Sequence, residues 1–298
     1  MRIAVTGASG FIGSAVSGAL RAAGHDVVGI GRRAGEGVVR WDPTSHTVDM
    51  PALGALDAIV HLAGEPIGGG WTSLRWTSAK RQAILASRVD GTRTVASIVR
   101  QLEVPTVVSG SAIGYYGDRG DEILNEESAP GEGFLADVVK AWEHEAQAIA
   151  DLGARVVMIR TGIVLDKDGG ELMPKMLPIF KLGAGGKLGA GDQWVSWISL
   201  TDEVRAITAA IMDDGLSGPV NLTAPNPVRN EELTDQLATA LSRPSFLSVP
   251  AFALKTVLGS GLAQDLLLAS QRVHPEVLTE RGFEFEHPTL QEALAAIL

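Results

Sequence analysis

Apolar and polar positions alternate in two rhythms along the first half of the chain. The run Arg2-Ile3-Ala4-Val5-Thr6 reads as a buried strand, and Phe11, Ile12, Ala15, Val16, Ala19 and Leu20 then recur at helical spacing until Gly24. His25-Asp26-Val27-Val28-Gly29-Ile30 is a second strand pattern. Strand patterns follow at Ala58 to Ala63, Thr106 to Ser109 and Arg155 to Arg160, with helix patterns at about 78–102 and about 134–151 between them. This alternation predicts an α/β fold built on a doubly wound parallel sheet, whose ligand lies beyond the carboxyl ends of the strands. After about residue 166 the rhythm changes. A glycine-rich stretch from Gly183 to Asp192 precedes the apolar Trp194-Val195-Ser196-Trp197-Ile198, which together read as turns around a hairpin. Helices at about 202–213, 230–242 and 251–270 then surround a short strand at Val220 to Leu222. The expected organisation is a nucleotide-binding domain over 1–165, completed by about 200–225, and a smaller α/β lobe over 166–298 that closes on the sheet edge.

Between the first strand and first helix stands Gly7-Ala8-Ser9-Gly10-Phe11-Ile12-Gly13. Gly7 permits a tight turn, Gly10 a close approach of backbone to phosphate oxygens, and Gly13 close packing of helix on strand. The free N–H groups and positive dipole end of the helix then face an anion, as a dinucleotide pyrophosphate requires. The second strand ends in Gly31-Arg32-Arg33, where an acid would hold the ribose 2′-hydroxyl of NAD. Two guanidinium groups suit a 2′-phosphate instead, so the expected cofactor is NADP(H).

Composition narrows the picture by exclusion. In 298 residues, 45% are apolar, which gives ample material for a core, and the formal charge of −10 argues against nucleic acid as a partner. The chain has no cysteine, so disulfides and thiolate chemistry are excluded. The six histidines have no metal-ligand spacing, and no metal site is expected. The first strand begins at residue 2, which leaves no place for a signal peptide, and no apolar run reaches the roughly 18 residues of a membrane span. A soluble, cytoplasmic protein is expected, with no membrane partner and with a homodimer as the candidate assembly.

The motifs resemble those of the extended short-chain dehydrogenase/reductase superfamily, the group containing the nucleotide-sugar epimerases. The residues that carry the resemblance are Thr6 to Gly13, Leu62-Ala63-Gly64, Val89-Asp90-Gly91-Thr92, Ser109 to Ser111 with Tyr116-Gly117, and Ile198 to Asp202. It implies a Rossmann domain with a C-terminal substrate lobe. The expected cofactor contacts are Gly7, Ser9, Gly10, Phe11, Ile12, Gly13, Arg32, Arg33, Leu62, Ala63, Gly64, Arg88, Ser109, Gly110, Thr161 and Gly162.

The chain departs from that superfamily in its catalytic pair. Members use Tyr-x-x-x-Lys on the helix after the serine strand, the tyrosine passing a proton and the lysine lowering its pKa. Only Tyr115 and Tyr116 occur here, with Arg119 and Gly120 four places on. Matching Glu143 to the acid that follows the motif puts Leu135 and Val139 in the tyrosine and lysine places, and Lys140 one place off. Arg88 stands where the superfamily has asparagine. These departures resemble a narrower group, NADP(H)-binding epimerase-family proteins sometimes labelled cell-division-inhibitor-like. Leu62 to Ile67, Arg75-Trp76-Thr77, Gly114 to Gly117, Trp142-Glu143, Ser196-Trp197-Ile198 and Asn221 to Pro225 carry that likeness.

The replacement proton carriers by strand-end placement are Ser111, Tyr115, Tyr116 and Glu65. Ser111 matches the superfamily's substrate-orienting hydroxyl. Tyr115 and Tyr116 read either as proton carriers or as packing aromatics, and Glu65 either as a buried acid or as a cap on Gly68-Gly69-Gly70. Trp71, Trp76, Trp194 and Trp197 read as lobe packing, His61 as a core residue with one hydrogen bond, and the pairs Glu126-Glu127 and Asp213-Asp214 as solvated loop charge. Two functions stay open. One is an NADP(H)-dependent oxidoreductase or epimerase-like enzyme for an unknown small molecule with a replaced acid/base; the other is a non-enzymatic NADP(H)-binding regulator or sensor.

Overall fold

The fold is known from a computed structural model that describes residues 1–68, 75–170 and 172–298. Trp71 and the glycines Gly69 and Gly70 lie outside the described residues. Eight strands make the central sheet: β1 Arg2–Thr6, β2 Asp26–Gly31, β3 Val38–Asp42, β4 Thr47–Val48, β5 Ala58–His61, β6 Thr106–Ala112, β7 Arg155–Thr161 and β8 Gly218–Leu222. Their order is β8-β7-β6-β5-β1-β2-β3-β4, and all neighbours are parallel except β3 and β4. The order reverses beside β1, which opens a crevice at the carboxyl ends of β1 and β5.

Alternation within the strands loads both faces. Ile3 and Val5 of β1 point to one layer, where helices α1 (Phe11–Ala22) and α4 (Leu200–Met212) bury Val16, Leu20, Ile207 and Ile211. Ala4 points to the other, against Val95 and Ile98 of α2 (Ser78–Leu102) and Ala146 and Ile149 of α3 (Phe134–Ala150). The sheet is therefore doubly wound, as the strand and helix rhythm predicts.

Beyond β7 the sequence pattern is less faithful. Gly186–Leu188 and Trp194–Val195 form no hairpin with each other. The first pairs in parallel with Leu247–Val249, the second antiparallel with Val228–Arg229, and Trp197–Ser199 lies parallel to Ile163–Leu165. Gly189 and Gly191, both at positive φ, turn the chain between them without returning it onto itself. The helix expected over 251–270 is also broken. It ends at Leu258, because Gly259 adopts φ +82°, and it resumes as a short turn and a π-helical segment, Ala263–Leu268. The chain then crosses back, and Arg272–Val273 pairs in parallel with Ile123–Leu124. A separate apolar cluster including Leu177, Phe180, Trp197, Leu233, Leu237 and Leu290 fills the lobe.

Candidate functional site

The turn after β1 is built on close backbone contacts. Gly7 adopts φ +69°, and a Cβ there would stand 3.0 Å from the Ala63 nitrogen. A Cβ on Gly13 would stand 2.2 Å from the Gly7 carbonyl oxygen, which leaves no room for a side chain, and one on Gly10 would make a tight contact of 3.1 Å with the same atom. Helix α1 begins at Gly10 with no side-chain cap and no acidic residue in its first turn. Its positive end and exposed Ser9 and Gly10 thus fit a dinucleotide pyrophosphate. Arg32 and Arg33 are exposed beyond the end of β2, and neither guanidinium has a partner among the described residues. That is the charge a 2′-phosphate calls for.

Thr6 fixes the neighbouring strand end. Its Oγ1 accepts the N–H groups of Leu62 and Ala63, both at 3.1 Å, and therefore donates its own proton to His61 Nδ1 at 2.7 Å. His61 is fully buried, with Nε2 unpartnered among the described residues, and burial together with the Arg88 charge lowers its pKa to about 4. It is a neutral strut. Arg88 is buried beneath the following turn: its Nη1 donates to the carbonyls of Glu65 and Ile84, and its guanidinium would lie 3.4 Å from a Cβ on Gly64. Arg88 thus supports the turn from behind instead of standing as a surface cation. The Glu65 carboxylate pairs with Lys80 Nζ at 2.7 Å, and its N–H donates to Ser87 Oγ.

At the end of β6, Ser109 is buried, and Gly110 has no room for a side chain because a Cβ would meet the Trp142 ring at 2.7 Å. Ser111 Oγ donates to Glu143 Oε1 at 2.6 Å. Glu143 in turn accepts two hydrogen bonds from Arg160, whose Nη1 donates to Tyr116 Oη at 3.0 Å. Tyr116 donates to Asn221 Oδ1 at 2.7 Å, and the Asn221 N–H donates to Glu126 Oε1 at 3.0 Å. One buried chain thus joins β6, α3, β7 and β8. Burial pushes the Tyr116 hydroxyl up to about 12, against the lowering effect of Arg160 and Asn221. The phenol is held on both sides as one link of that buried chain. Tyr115 lays its ring 3.6 Å from the Arg160 guanidinium carbon.

Glu126 corrects an expectation, since it is not solvated loop charge. It is 8% exposed and ties the N–H groups of Asn221 and Val277 together, and burial raises its pKa. At the end of β7, Thr161 Oγ1 donates to Glu203 Oε1 at 2.8 Å, and Gly162 donates its N–H to the Leu222 carbonyl. Glu203 is fully buried with Oε2 unpartnered among the described residues, and burial pushes its carboxyl up to about 8, the Thr161 bond opposing.

Leu135 and Val139 are buried under Gly114, and Lys140 pairs with Asp137 on the surface. No proton carrier therefore stands at those three places. Instead a carboxylate arrives from the lobe: Asp265 Oδ2 accepts the Leu135 N–H at 3.3 Å. Arg160, Glu203, Asn221 and Asp265 were not expected as site residues. A charged residue closing the apolar strand run at Arg160 is the signal that could have found the first; the others are joined only by the fold.

Two family models match the chain. Residues 3–222 match the NAD dependent epimerase/dehydratase family, and residues 249–297 match a domain of unknown function, DUF1731. The epimerase family protein Mb2239 of Mycobacterium bovis is 43% identical over 98% of this chain and 96% of its own length. The SDR39U1 homolog of Arabidopsis thaliana, described as chloroplastic, is 38% identical over 100% of this chain and 87% of its own, so relatives of this chain are not confined to the cytoplasm. The crystal structure of human SDR39U1 (isoform 2) with NADPH superposes with a TM-score of 0.91 at 32% identity, covering 100% of this chain and 99% of that one. Among the described residues no helix is long and apolar enough to cross a membrane.

Proposed function

The chain belongs to the NAD dependent epimerase/dehydratase family, and we propose that it binds NADP(H) at the carboxyl ends of the sheet and presents it to a small alcohol or carbonyl compound. In this reading residues 1–165, with β8, hold the dinucleotide and residues 166–298 cover the reacting end. The observation that carries it is the uncapped start of α1 beside two unpartnered arginines, Arg32 and Arg33. The NADPH held by the human relative supports the same choice. When bound, the nicotinamide supplies hydride transfer. The chain's own residues supply the rest. The 7–13 turn offers backbone N–H groups to the pyrophosphate, Arg32 and Arg33 take the 2′-phosphate, and Ser111 faces the reacting end with its hydroxyl held by Glu143.

A second reading, a protein that holds NADP(H) without turning it over, has one specific observation in its favour. Ser111, Tyr116 and Glu65 are each engaged by a charged or buried partner, which leaves three of the four expected proton carriers committed, Tyr115 being the exception. Fluorescence titration with NADPH and NADH tests the cofactor assignment on which both readings rest. NADPH is expected to bind more tightly by about 1.5–3 kcal/mol, the worth of hydrogen bonds to a charged group, and the Arg32→Ala/Arg33→Ala double variant to lose that preference. Equal affinity in the wild type, or an unchanged preference in the double variant, would overturn the assignment.

A further inference from the structure

We propose that the recess between the sheet and the lobe receives a compact ligand that is uncharged or cationic, anchored on the Asp265 carboxylate, and that it discriminates against anionic ligands such as nucleoside-diphosphate sugars. The proposal rests on the function above only in placing that ligand beside the nicotinamide. Ile113, two residues beyond Ser111, and Ile163, next to Gly162, form the wall on the sheet side, and Leu172, Trp194, Leu233 and Asp265 stand among those on the lobe side.

Size is the first argument. The recess holds about 50 Å3, room for roughly four waters at the 10–15 Å3 that each needs by this measure, and its walls are mainly apolar. Charge is the second. Among the described residues Asp265 is the one ionisable group on the lining, and neither residues 69–74 nor residue 171 includes a lysine or arginine. Arg229 and Arg272 lie over the Trp194 ring, 4.3 and 4.4 Å from its centroid, but neither lines the recess, and Arg229 is paired with Asp121 at 2.7 Å. A diphosphate entering here would lose its water beside a carboxylate, with no cation on the walls to replace it.

The third argument is spare hydrogen-bonding capacity. The polar side chains on the lining each make at least one hydrogen bond. Ser196 Oγ donates to the Gln271 carbonyl at 2.7 Å and accepts the Val273 N–H, Gln271 Nε2 donates to the Ile113 carbonyl, and Asn230 Oδ1 accepts the Leu188 N–H. Among the described residues Asp265 holds a single long bond, from the Leu135 N–H, out of the four or so that a carboxylate accepts. Its segment is π-helical, a rare geometry that recurs at functional sites. Gly133, at φ +111°, adjoins it, and a Cβ there would be in ordinary contact with Oδ2 at 3.4 Å.

The test uses three ligands of four heavy atoms and different charge, isopropylamine, isopropanol and acetate, together with UDP-glucose. Each is titrated calorimetrically into the full-length protein, with and without NADPH. The amine is expected to bind about tenfold more tightly than the carboxylate, the scale of one hydrogen bond to a charged group, with the alcohol between them and UDP-glucose weakest. In Asp265→Asn, which keeps an acceptor for the Leu135 N–H, the gap between amine and carboxylate is expected to close. The proposal is overturned if the carboxylate or UDP-glucose binds more tightly than the amine, if Asp265→Asn leaves the ranking unchanged, or if no compact ligand binds at all. Failure of NADPH to bind would instead overturn the proposed function. The series in cofactor-free protein still reads the recess in that case.

Discussion

Glu143 receives the Arg160 guanidinium as a two-pronged fork, Nε to Oε1 and Nη2 to Oε2, each at 2.8 Å. Arg160 is 3% exposed, so this is a buried ion pair with further hydrogen bonds on both sides. Such a pair adds little over apolar packing, yet removing one partner strands a charge.

Arg160→Met is therefore expected to destabilise the protein by about 3–5 kcal/mol. The double variant Glu143→Leu/Arg160→Met is expected to recover much of that loss, because neither charge is then stranded. Urea midpoints at constant m-value read both quantities. A single variant costing under about 1 kcal/mol would mean that water reaches the stranded carboxylate.

The two tyrosines separate cleanly. Tyr116→Phe removes the donor to Asn221 Oδ1 and the acceptor of an Arg160 N–H, at an expected cost of about 1–3 kcal/mol. Tyr115→Phe keeps the ring that stacks on Arg160 and removes a hydroxyl with no partner among the described residues; it is expected to stay within about 0.5 kcal/mol of wild type. Equal effects in the two variants would refute the assignment of Tyr116 to the buried chain.

Glu203 and His61 give opposed pH dependences. Burial raises Glu203 from 4.5 to about 8, so the folded state holds a proton that the unfolded chain releases, and stability from this group falls as pH rises between those values. His61 is lowered from 6.5 to about 4, so its contribution falls as pH drops through that window. Between about 4.5 and 6.5 the two slopes cancel, and above 6.5 the Glu203 decline stands alone. In Glu203→Gln the difference in stability from wild type is expected to grow steadily from pH 4.5 to 8, in the variant's favour, reaching a few kcal/mol. Thermal unfolding across that range decides it: a difference that does not change with pH would mean Glu203 is ionised in the folded protein.

How much of this was legible depends on how local the signal is. The tight turn from Gly7 to Gly13 depends on adjacent backbone, and Arg32 and Arg33 follow directly on the end of one strand, so both features are visible in residue types at neighbouring positions. The chain Ser111–Glu143–Arg160–Tyr116–Asn221–Glu126 draws on five segments brought together only by the sheet order, and nothing in the spacing of those residues announces it. Glu126 misled for that reason, since a carboxylate beside Glu127 in a loop looks solvated until Val277 arrives to bury it. The glycines from 183 to 191 misled differently. They signal turns correctly, but the strand that pairs with Gly186–Leu188 lies at Leu247–Val249, out of reach of any local pattern.

The crossing of Arg272–Val273 back onto Ile123–Leu124 also dictates a timetable. Ser270, which leads into that strand, hydrogen-bonds to the Gly120 carbonyl across 150 residues of chain. On the ribosome β1 to β7 emerge well before this segment, so the sheet can assemble while the recess still lacks the lobe wall that carries Asp265. Contacts so distant in sequence reward the chain only after the intervening loop has closed. The chamber therefore closes only after the segment around residue 265 has been made, and a chain halted before residue 263 would lack the Asp265 wall.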